Sequence, residues 1–259
     1  MLKVNVYSSS LVFIRVINKF FTIINVFSDK KIDNNLKNYC KKKIIHFSQV
    51  KKNADLKKSF TKNVDLGLVF GFGFIFKKNY IDKFKYGIWN FHPGALPKYR
   101  GRHPVTWAFL NDEKKIGLSI HSIDEKIDQG FLIHKYFVKR SYYDDENLIL
   151  KKITKKFNRE IPCAIKNFFS NNIKKLSKGH YYPALFNGIE DIDSKNKNSK
   201  YAYNAIKAQK IYGGAKINGQ LYKDVLFFKK NFKIKIKIKN KNYQIIKFKD
   251  NKKLILLKK

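Results

Sequence analysis

Five short apolar runs recur at regular intervals in the first 91 residues, and this spacing constrains the fold more than any other feature. The polar, helix-compatible stretches between the runs are long enough to cross from one strand to the next. Strands connected in this way form a mostly parallel, doubly wound α/β sheet. The runs are Val4 to Tyr7, Phe21 to Phe27, Ile44 to Phe47, Leu66 to Phe72 and Ile88 to Phe91.

A long amphipathic helix is predicted after the sheet-forming region. Asp144 or Asp145 can cap this helix, because a carboxylate accepts hydrogen bonds from the first free amides of a helix. Apolar residues recur at helical spacing as far as Phe168. The helix closes the first domain, residues 1–170. Before it lie two more predicted strands and the polar loop between them: Ile116 to Ile123, Phe131 to Val138 and Asp124 to Gly130.

The rest of the chain is predicted to form a linker and a small β-rich appendix. Residues 171–200 are rich in Asn, Lys, Gly and Ser, which is typical of a linker. A short helical segment is predicted near Tyr201 to Gln209. From Phe232 to Lys239 apolar residues alternate with lysine, which predicts a strand with one buried and one solvated face. The appendix spans residues 201–259.

The chain is strongly basic, with 56 Lys and Arg against 19 Asp and Glu and a formal net charge of +37. Such an excess fits a nucleic acid or another phosphorylated ligand. Only five of the basic residues are arginine, and lysine is abundant along the whole sequence. A compositional preference for lysine therefore explains the charge equally well. Net charge alone does not distinguish one function from another.

Two cysteines, Cys40 and Cys163, lie far apart and lack the spacing of metal ligands or of a disulfide framework. We expect a reduced cytoplasmic protein without a metal. The apolar stretch Leu11 to Ile17 is interrupted by Arg15 before it reaches the ~18 residues that a membrane span needs. No cleavage site follows it, so neither a signal peptide nor a membrane span is predicted.

Residues 88–130 carry side chains typical of a reaction centre. Asn90 and His92 are two apart on a predicted strand, so both leave the same face, at the end where open α/β sheets bind ligands. Asp128 follows the next strand and can return to the same edge, where its carboxylate would favour protonated His92. With no serine or cysteine nucleophile nearby, these groups fit direct acyl transfer better than a covalent mechanism. A lone histidine such as His92 more often caps a strand end without a catalytic role, and it is the surrounding pattern that favours catalysis.

Three motifs in this segment resemble the hydroxymethyl- and formyl-transferase family, whose signature reads Asn-x-His-Pro-Ser-Leu-Leu-Pro, then Tyr-Arg-Gly, then Ile-Asp-x-Gly. Gly94 and Ala95 stand where the family has Ser-Leu. Within this family, the sequence of residues 100–130 most resembles the branch that formylates amino sugars on nucleotide carriers. The enzymes of this branch are relatives of methionyl-tRNA formyltransferase. The matching stretches are Asn90 to Pro97, Tyr99 to Gly101 and Ile127 to Gly130.

This resemblance implies a Rossmann-like formyltransferase fold and N10-formyltetrahydrofolate as the co-substrate. It implies that Asn90 and protonated His92 stabilise a tetrahedral oxyanion, and that Asp128 holds the histidine. His121 is expected on the acceptor side. Lys98, Arg100 and Arg102 could bind pyrophosphate or carboxylate groups, or be solvated loop charges. The folate would contact Gly71, Phe72, Gly73, Phe74, Ile123 and Asp124, although these glycines fit close strand packing equally well.

The predicted acceptor is the amine of a nucleotide-linked amino sugar. Methionyl-tRNA is the alternative acceptor, and the basic tail would suit it. A remote alternative is a non-enzymatic RNA-binding module that uses only the lysine face of residues 232–239. A homodimer is possible, and the sugar, the nucleotide and the amino position are left open by the sequence.

Overall fold

The computed structural model describes residues 1–30, 33–52, 55–56, 63–185, 188–189, 191–227 and 242–258. The chain forms two compact units, each made of three segments. Unit 1 contains Met1–Arg100, Gly117–Phe137 and Lys152–His180, and unit 2 contains Gly101–Ile116, Val138–Lys151 and Tyr181–Lys259. The proposed division into residues 1–170, 171–200 and 201–259 stays a prediction.

An eight-stranded mixed sheet, most of it in unit 1, has the order β3-β2-β1-β4-β5-β7-β8-β9. Its first five strands are parallel to one another, whereas β5 and β7, and likewise β8 and β9, pair antiparallel. The predicted α/β class with a mostly parallel sheet is confirmed. The strands are Lys3–Tyr7 (β1), Thr22–Ser28 (β2), His46–Gln49 (β3), Leu66–Val69 (β4), Ile88–His92 (β5), Lys115–Ser122 (β7), Phe131–Lys139 (β8) and Lys174–Lys175 (β9).

Helix α1 (Leu11–Phe20) shows why the crossovers of unit 1 fold as helices. Ser10 caps it by accepting a hydrogen bond from the Phe13 amide. Its apolar side is buried, and the ring of Phe13 lies 4.8 Å from that of Phe91 and 5.5 Å from that of Phe157. These aromatic contacts form part of the core beneath the strand that carries the predicted site. Two further helices are Asn34–Lys42 (α2) and Lys78–Ile81 (α3).

The single long helix predicted after Asp145 is wrong, because the structure has two helices there. Helix α5 (Glu146–Lys155) begins as expected, with the Asp145 carboxylate accepting from the Leu148 amide at 2.9 Å. The Lys156 amide then bonds to the Ile153 carbonyl three residues back, a tighter turn than that of an α-helix. This turn ends α5, and helix α6 (Phe157–Phe169) follows.

Unit 2 contains a four-stranded antiparallel sheet with the order β11-β12-β14-β13, so the predicted β-rich appendix is confirmed. Helix α7 (Ser199–Gln209), capped by Asn198, shares a buried core with this sheet, in which Ile206 and Leu256 are fully enclosed. The alternating run Phe232 to Lys239 lies outside the described residues. The strands are Ala215–Ile217 (β11), Gln220–Phe227 (β12), Tyr243–Lys247 (β13) and Lys253–Lys258 (β14).

Short elements complete the described chain. Helix α4 (Pro104–Leu110) belongs to unit 2, and a 3-10 turn covers Lys210–Tyr212. Strands β6 (Arg100–Gly101) and β10 (Tyr181–Tyr182) form a two-stranded sheet. Part of the predicted linker is thus strand, because β9 and β10 both lie within it. Within the described part of the chain, no helix has the length and hydrophobicity that crossing a membrane requires.

Candidate active site

Two neighbouring antiparallel strands carry three of the polar side chains of the candidate site. Asn90 and His92 lie at the carboxyl end of β5, and in the register of β5 with β7 they stand opposite His121 and Ser119, respectively. The loop after β7 brings Asp128 to the same place, with its Oδ2 3.8 Å from His92 Nδ1. Residues up to 38 positions apart in the chain therefore meet at one edge of the sheet, where open α/β sheets bind ligands.

His92 is buried, and its two ring nitrogens have different partners. Nε2 lies 2.6 Å from the carbonyl oxygen of Tyr99, which can only accept, so Nε2 carries a hydrogen. Nδ1 faces Asp128. Burial lowers the pKa of His92 below its ordinary value, and this exceeds the opposing attraction of Asp128. This direction opposes the expectation that His92 is held protonated and favours the neutral imidazole, whose Nδ1 lone pair then faces the carboxylate.

His121 completes the cluster. It is buried, and its Nδ1 lies 2.9 Å from the Ser122 carbonyl oxygen, to which it donates. Its Nε2 lies 3.3 Å from Asn90 Nδ2 and 3.4 Å from Asp128 Oδ1. In the neutral ring, Nε2 accepts from the Asn90 amide, whose nitrogen carries a second hydrogen. The residue predicted to lie on the acceptor side thus contacts both Asn90 and Asp128.

This arrangement suits the uptake of a proton. The Asp128 carboxylate, only 8% exposed, faces Nδ1 of one imidazole and Nε2 of another. A proton on either nitrogen would convert a contact between a lone pair and a carboxylate into a charge-assisted hydrogen bond. Since the pair is shielded from water, that gain is larger than at the surface. The cluster can therefore hold a proton released by a reacting group.

The loop that carries Asp128 is fixed from two sides. Gly130 packs against Ser122 so closely that a Cβ there would overlap the Ser122 carbonyl. This close approach explains the glycine of the Ile-Asp-x-Gly motif. The buried Arg100 donates from Nε to the backbone oxygen of Asp128 at 3.1 Å, and from Nη2 to the backbone oxygen of Ser177. Arg100, predicted as a substrate residue, therefore donates to two backbone oxygens, and one of them belongs to the residue that carries the carboxylate.

A serine that the sequence did not single out fixes the loop after His92. The buried Ser119 hydroxyl donates to the Gly94 carbonyl at 2.7 Å and accepts from the Leu96 amide at 3.0 Å. The loop between the two prolines is thus tied to β7. One signal for Ser119 was available, because it lies two residues before His121 on a predicted strand and so shares its face.

The predicted folate residues separate into two groups. Phe72, Phe74 and Ile123 all pack against one buried apolar cluster of unit 1 that includes Tyr7. Gly71 and Gly73 lie in the same loop after β4, and the Gly73 amide is bonded to the Asp29 carboxylate at 2.7 Å. Asp124 points to solvent instead, with its side chain 45% exposed and 3.2 Å from the Lys175 ammonium.

The remaining predicted substrate residues are surface cations. Lys98 is exposed, and its ammonium lies 5.3 Å from the centre of the Tyr99 ring. Arg102 is exposed and belongs to unit 2. Among the residues that the structure describes, no three His, Cys, Asp or Glu side chains are grouped to hold a metal ion.

Curated relatives match parts of the chain. The methionyl-tRNA formyltransferase of Borrelia garinii subsp. bavariensis is 45% identical over 91 residues, which are 34% of this chain and 29% of that protein. The enzyme of that name from Prochlorococcus marinus strain MIT 9515 is 29% identical over 198 residues, 70% of this chain and 58% of that one. The chain thus spans less than two thirds of the length of these relatives.

Solved structures match over the whole length. The sugar 3N-formyl transferase WlaRD, crystallised with dTDP and 5-N-formyl-THF, is 23% identical with a TM-score of 0.71 and covers 100% of this chain and 98% of its own. The N-formyltransferase of Helicobacter canadensis, in complex with folinic acid and dTDP-3-aminofucose, is 21% identical with a TM-score of 0.72 and covers both chains completely. At these identities the likeness establishes the fold.

The cluster of Asn90, His92, His121 and Asp128 lies inside the segment that a sequence family shares. The family model described as formyl transferase matches residues 22–165, more than half of the chain. Both the strands that present the cluster and the loop that returns Asp128 fall within this match. With the fold of solved formyltransferases around it, the chain belongs to the formyl transferase family.

Proposed function

We propose that this chain transfers a formyl group from N10-formyltetrahydrofolate to the amine of a nucleotide-linked amino sugar. The observation that carries the proposal is the meeting of Asn90, His92, His121 and Asp128 at the carboxyl end of β5. An amide donor, a neutral buried imidazole and a shielded carboxylate provide what transfer to an amine requires, namely a donor for the oxyanion and an acceptor for the proton.

Formylfolate would supply an electrophilic formyl carbon, whose oxygen becomes negative when the amine nitrogen bonds to it. Asn90 would donate its second amide hydrogen to that oxygen; a single such donor typically contributes about 3 to 4 kcal/mol to the barrier reduction. His92 would accept the proton of the amine at Nδ1, and Asp128 would stabilise the resulting imidazolium. The same proton would then be available to the leaving folate nitrogen as its bond to the formyl carbon breaks.

The aromatic cluster after β4 fits the planar ring system of a folate. Phe72 lies 5.5 Å from the Tyr7 ring and 5.5 Å from the Phe74 ring, which gives an apolar surface beside the backbone of a loop. Ile123 packs on the same cluster. Flat heteroaromatic ligands bind in such surroundings when backbone groups supply the polar contacts. A contact from Asp124 remains a prediction.

The match over whole chains favours a sugar acceptor. The match extends over 98% or more of the length of two solved N-formyltransferases, whose structures contain dTDP or dTDP-3-aminofucose. Methionyl-tRNA is the second candidate, which is favoured by the local identity of 45% to a methionyl-tRNA formyltransferase. That match covers only 29% of the relative, so it supports a tRNA acceptor less strongly than the whole-chain matches support a sugar acceptor. A cytoplasmic location and a homodimer stay predictions.

The acceptor is tested by assaying dTDP-3-aminofucose and initiator methionyl-tRNA with formyltetrahydrofolate at low and high salt. We expect the sugar to react with the higher kcat/KM and with weak salt dependence. An enzyme that binds tRNA through many phosphates loses roughly 10³-fold or more in affinity between about 50 and 200 mM salt. A higher kcat/KM for methionyl-tRNA that falls steeply with salt would refute the sugar acceptor and leave formyl transfer intact.

The chemistry is tested separately with His92→Ala. We expect turnover with either acceptor to fall at least ~10²-fold while formylfolate binding is retained, because the proposed role of His92 is realised in the transition state. His46→Ala removes an exposed histidine of β3 and is the matched control, for which no change is expected. Unchanged turnover of the His92 variant would remove this residue from the mechanism.

A further inference from the structure

In unit 2, the carboxylate of Asp112 forms ion pairs with three cationic side chains. Asp112 Oδ1 accepts from Arg140 Nη2 at 2.8 Å, and Oδ2 accepts from Lys114 Nζ at 2.8 Å. Lys200 forms a third ion pair with Oδ2. Partial burial raises the pKa of Asp112, but the hydrogen bonds from Lys114, Lys200 and Asn204 outweigh it and hold that pKa well below its usual value. Asp112 is therefore ionised and fully engaged.

These residues line a cavity of about 240 Å³ with a surplus of positive charge. Lys252 is a fourth cation in the lining, against the single carboxylate of Asp112. The side chains of Lys114 and Lys200 are 70% and 59% exposed, so their ammonium groups have donors that face solvent. Lys252 also lies 4.0 Å from the Asp250 carboxylate. Cations held this close raise the local concentration of anions, because two carboxylates cannot neutralise four of them.

Arg140 distinguishes this cavity from the general lysine surface of the chain. It is one of five arginines in the protein, and its side chain is almost buried. Asp112 and Asn204 both bond to its Nη2, and its guanidinium carbon lies 4.7 Å from the centre of the Phe109 ring. A guanidinium fixed in this way is preorganised to pair with phosphate oxygens.

An aromatic surface adjoins the cations. Tyr142 and Tyr203 line the same cavity, and their rings are stacked with centres 4.5 Å apart. Tyr142 is still 44% exposed. The exposed ring of Tyr143 meets Tyr142 edge to face at 5.3 Å. An exposed aromatic face beside fixed cations is the combination that binds nucleotides, since the base stacks while the phosphates pair with the cations.

We propose that this cavity binds a nucleotide through its phosphates, supplied either by a free nucleoside diphosphate or by an RNA strand. None of its residues belongs to the candidate active site. The proposal therefore stands without the proposed function, and its test measures binding rather than formyl transfer.

The test measures ADP binding by calorimetry, with inorganic pyrophosphate as the competitor. We expect Lys114→Gln combined with Lys200→Gln to weaken binding at least ~10-fold, because two phosphate contacts are lost. The matched control, Lys216→Gln with Lys223→Gln, removes two exposed lysines of the same unit outside the cavity and should stay within about twofold of the wild type. Lys252→Gln is a milder variant, to be used if the double cavity variant melts early.

A fluorescent single-stranded RNA of about 12 nucleotides separates the two sources of phosphate. RNA that binds much more tightly than ADP, and with a salt dependence reduced by the cavity variants, would identify a strand as the ligand. Binding of ADP that RNA does not exceed would identify a free nucleotide. Equal weakening in the cavity and control variants, or no pyrophosphate-sensitive binding of either probe, would overturn the proposal.

Discussion

Arg100→Lys should impair catalysis by releasing Asp128, without removing a substrate contact. In the native protein the guanidinium of Arg100 donates to the backbone oxygens of Asp128 and Ser177 from two separate nitrogens. Lysine keeps the charge but has one compact ammonium, so it can replace one of these bonds and not both. When the bond to the Asp128 oxygen is the one lost, the loop keeps only the packing of Gly130 against Ser122.

The size of the effect follows from this geometry. A hydrogen bond to a charged group contributes about 1.5 to 3 kcal/mol, so Arg100→Lys should lower the free energy of unfolding by that amount. Arg100→Met removes both bonds and should cost about 3 to 6 kcal/mol by the same reasoning. A shift of roughly 1 Å in Asp128 would reduce kcat about 10²-fold. Because a domain has about 5 to 15 kcal/mol of stability, the lysine variant should remain folded.

Urea unfolding gives the stability, and steady-state kinetics separate the two possible roles of Arg100. A positioning role predicts a lower kcat with KM for the acceptor within about threefold, since only the transition state needs an aligned Asp128. Arg15→Lys, at an exposed arginine of α1, is the matched control and should behave as wild type. An unchanged kcat with a raised KM for the acceptor would refute positioning and restore the substrate role expected from sequence.

Three further predictions follow from the site and the core. Asp128→Asn should reduce kcat about 10²-fold or more. It should also shift the acidic limb of the pH profile of kcat/KM to lower pH, because Asp128 raises the pKa of His92 against the effect of burial. An acidic limb at unchanged pH would contradict this coupling between Asp128 and His92. Phe13→Ala should cost about 3 to 5 kcal/mol in urea unfolding, since its ring contacts three others, whereas Val12→Ala, half exposed, should cost little. Treatment with EDTA should leave turnover unchanged, and loss of activity that a divalent ion restores would contradict a metal-free mechanism.

Much of the fold was accessible from local patterns. The apolar runs predicted the parallel strands because the buried strands of such a sheet are almost continuously hydrophobic. Asp144 or Asp145 predicted the start of α5, and Asp145 is the cap, since helix capping involves neighbouring residues only. The end of that helix was missed at Lys156, where a tighter turn interrupts an unbroken apolar periodicity.

The fold class and the segment that carries the reactive side chains could be predicted from the sequence, because strand periodicity, helix caps and motif spacing are short-range properties. The roles of these side chains required the three-dimensional contacts. Burial lowers the pKa of His92, Arg100 bonds to the Asp128 backbone, and His121 lies between Asn90 and Asp128. Each of these facts depends on contacts between residues distant in the chain and on the exclusion of water around them, and neither is encoded in local sequence pattern.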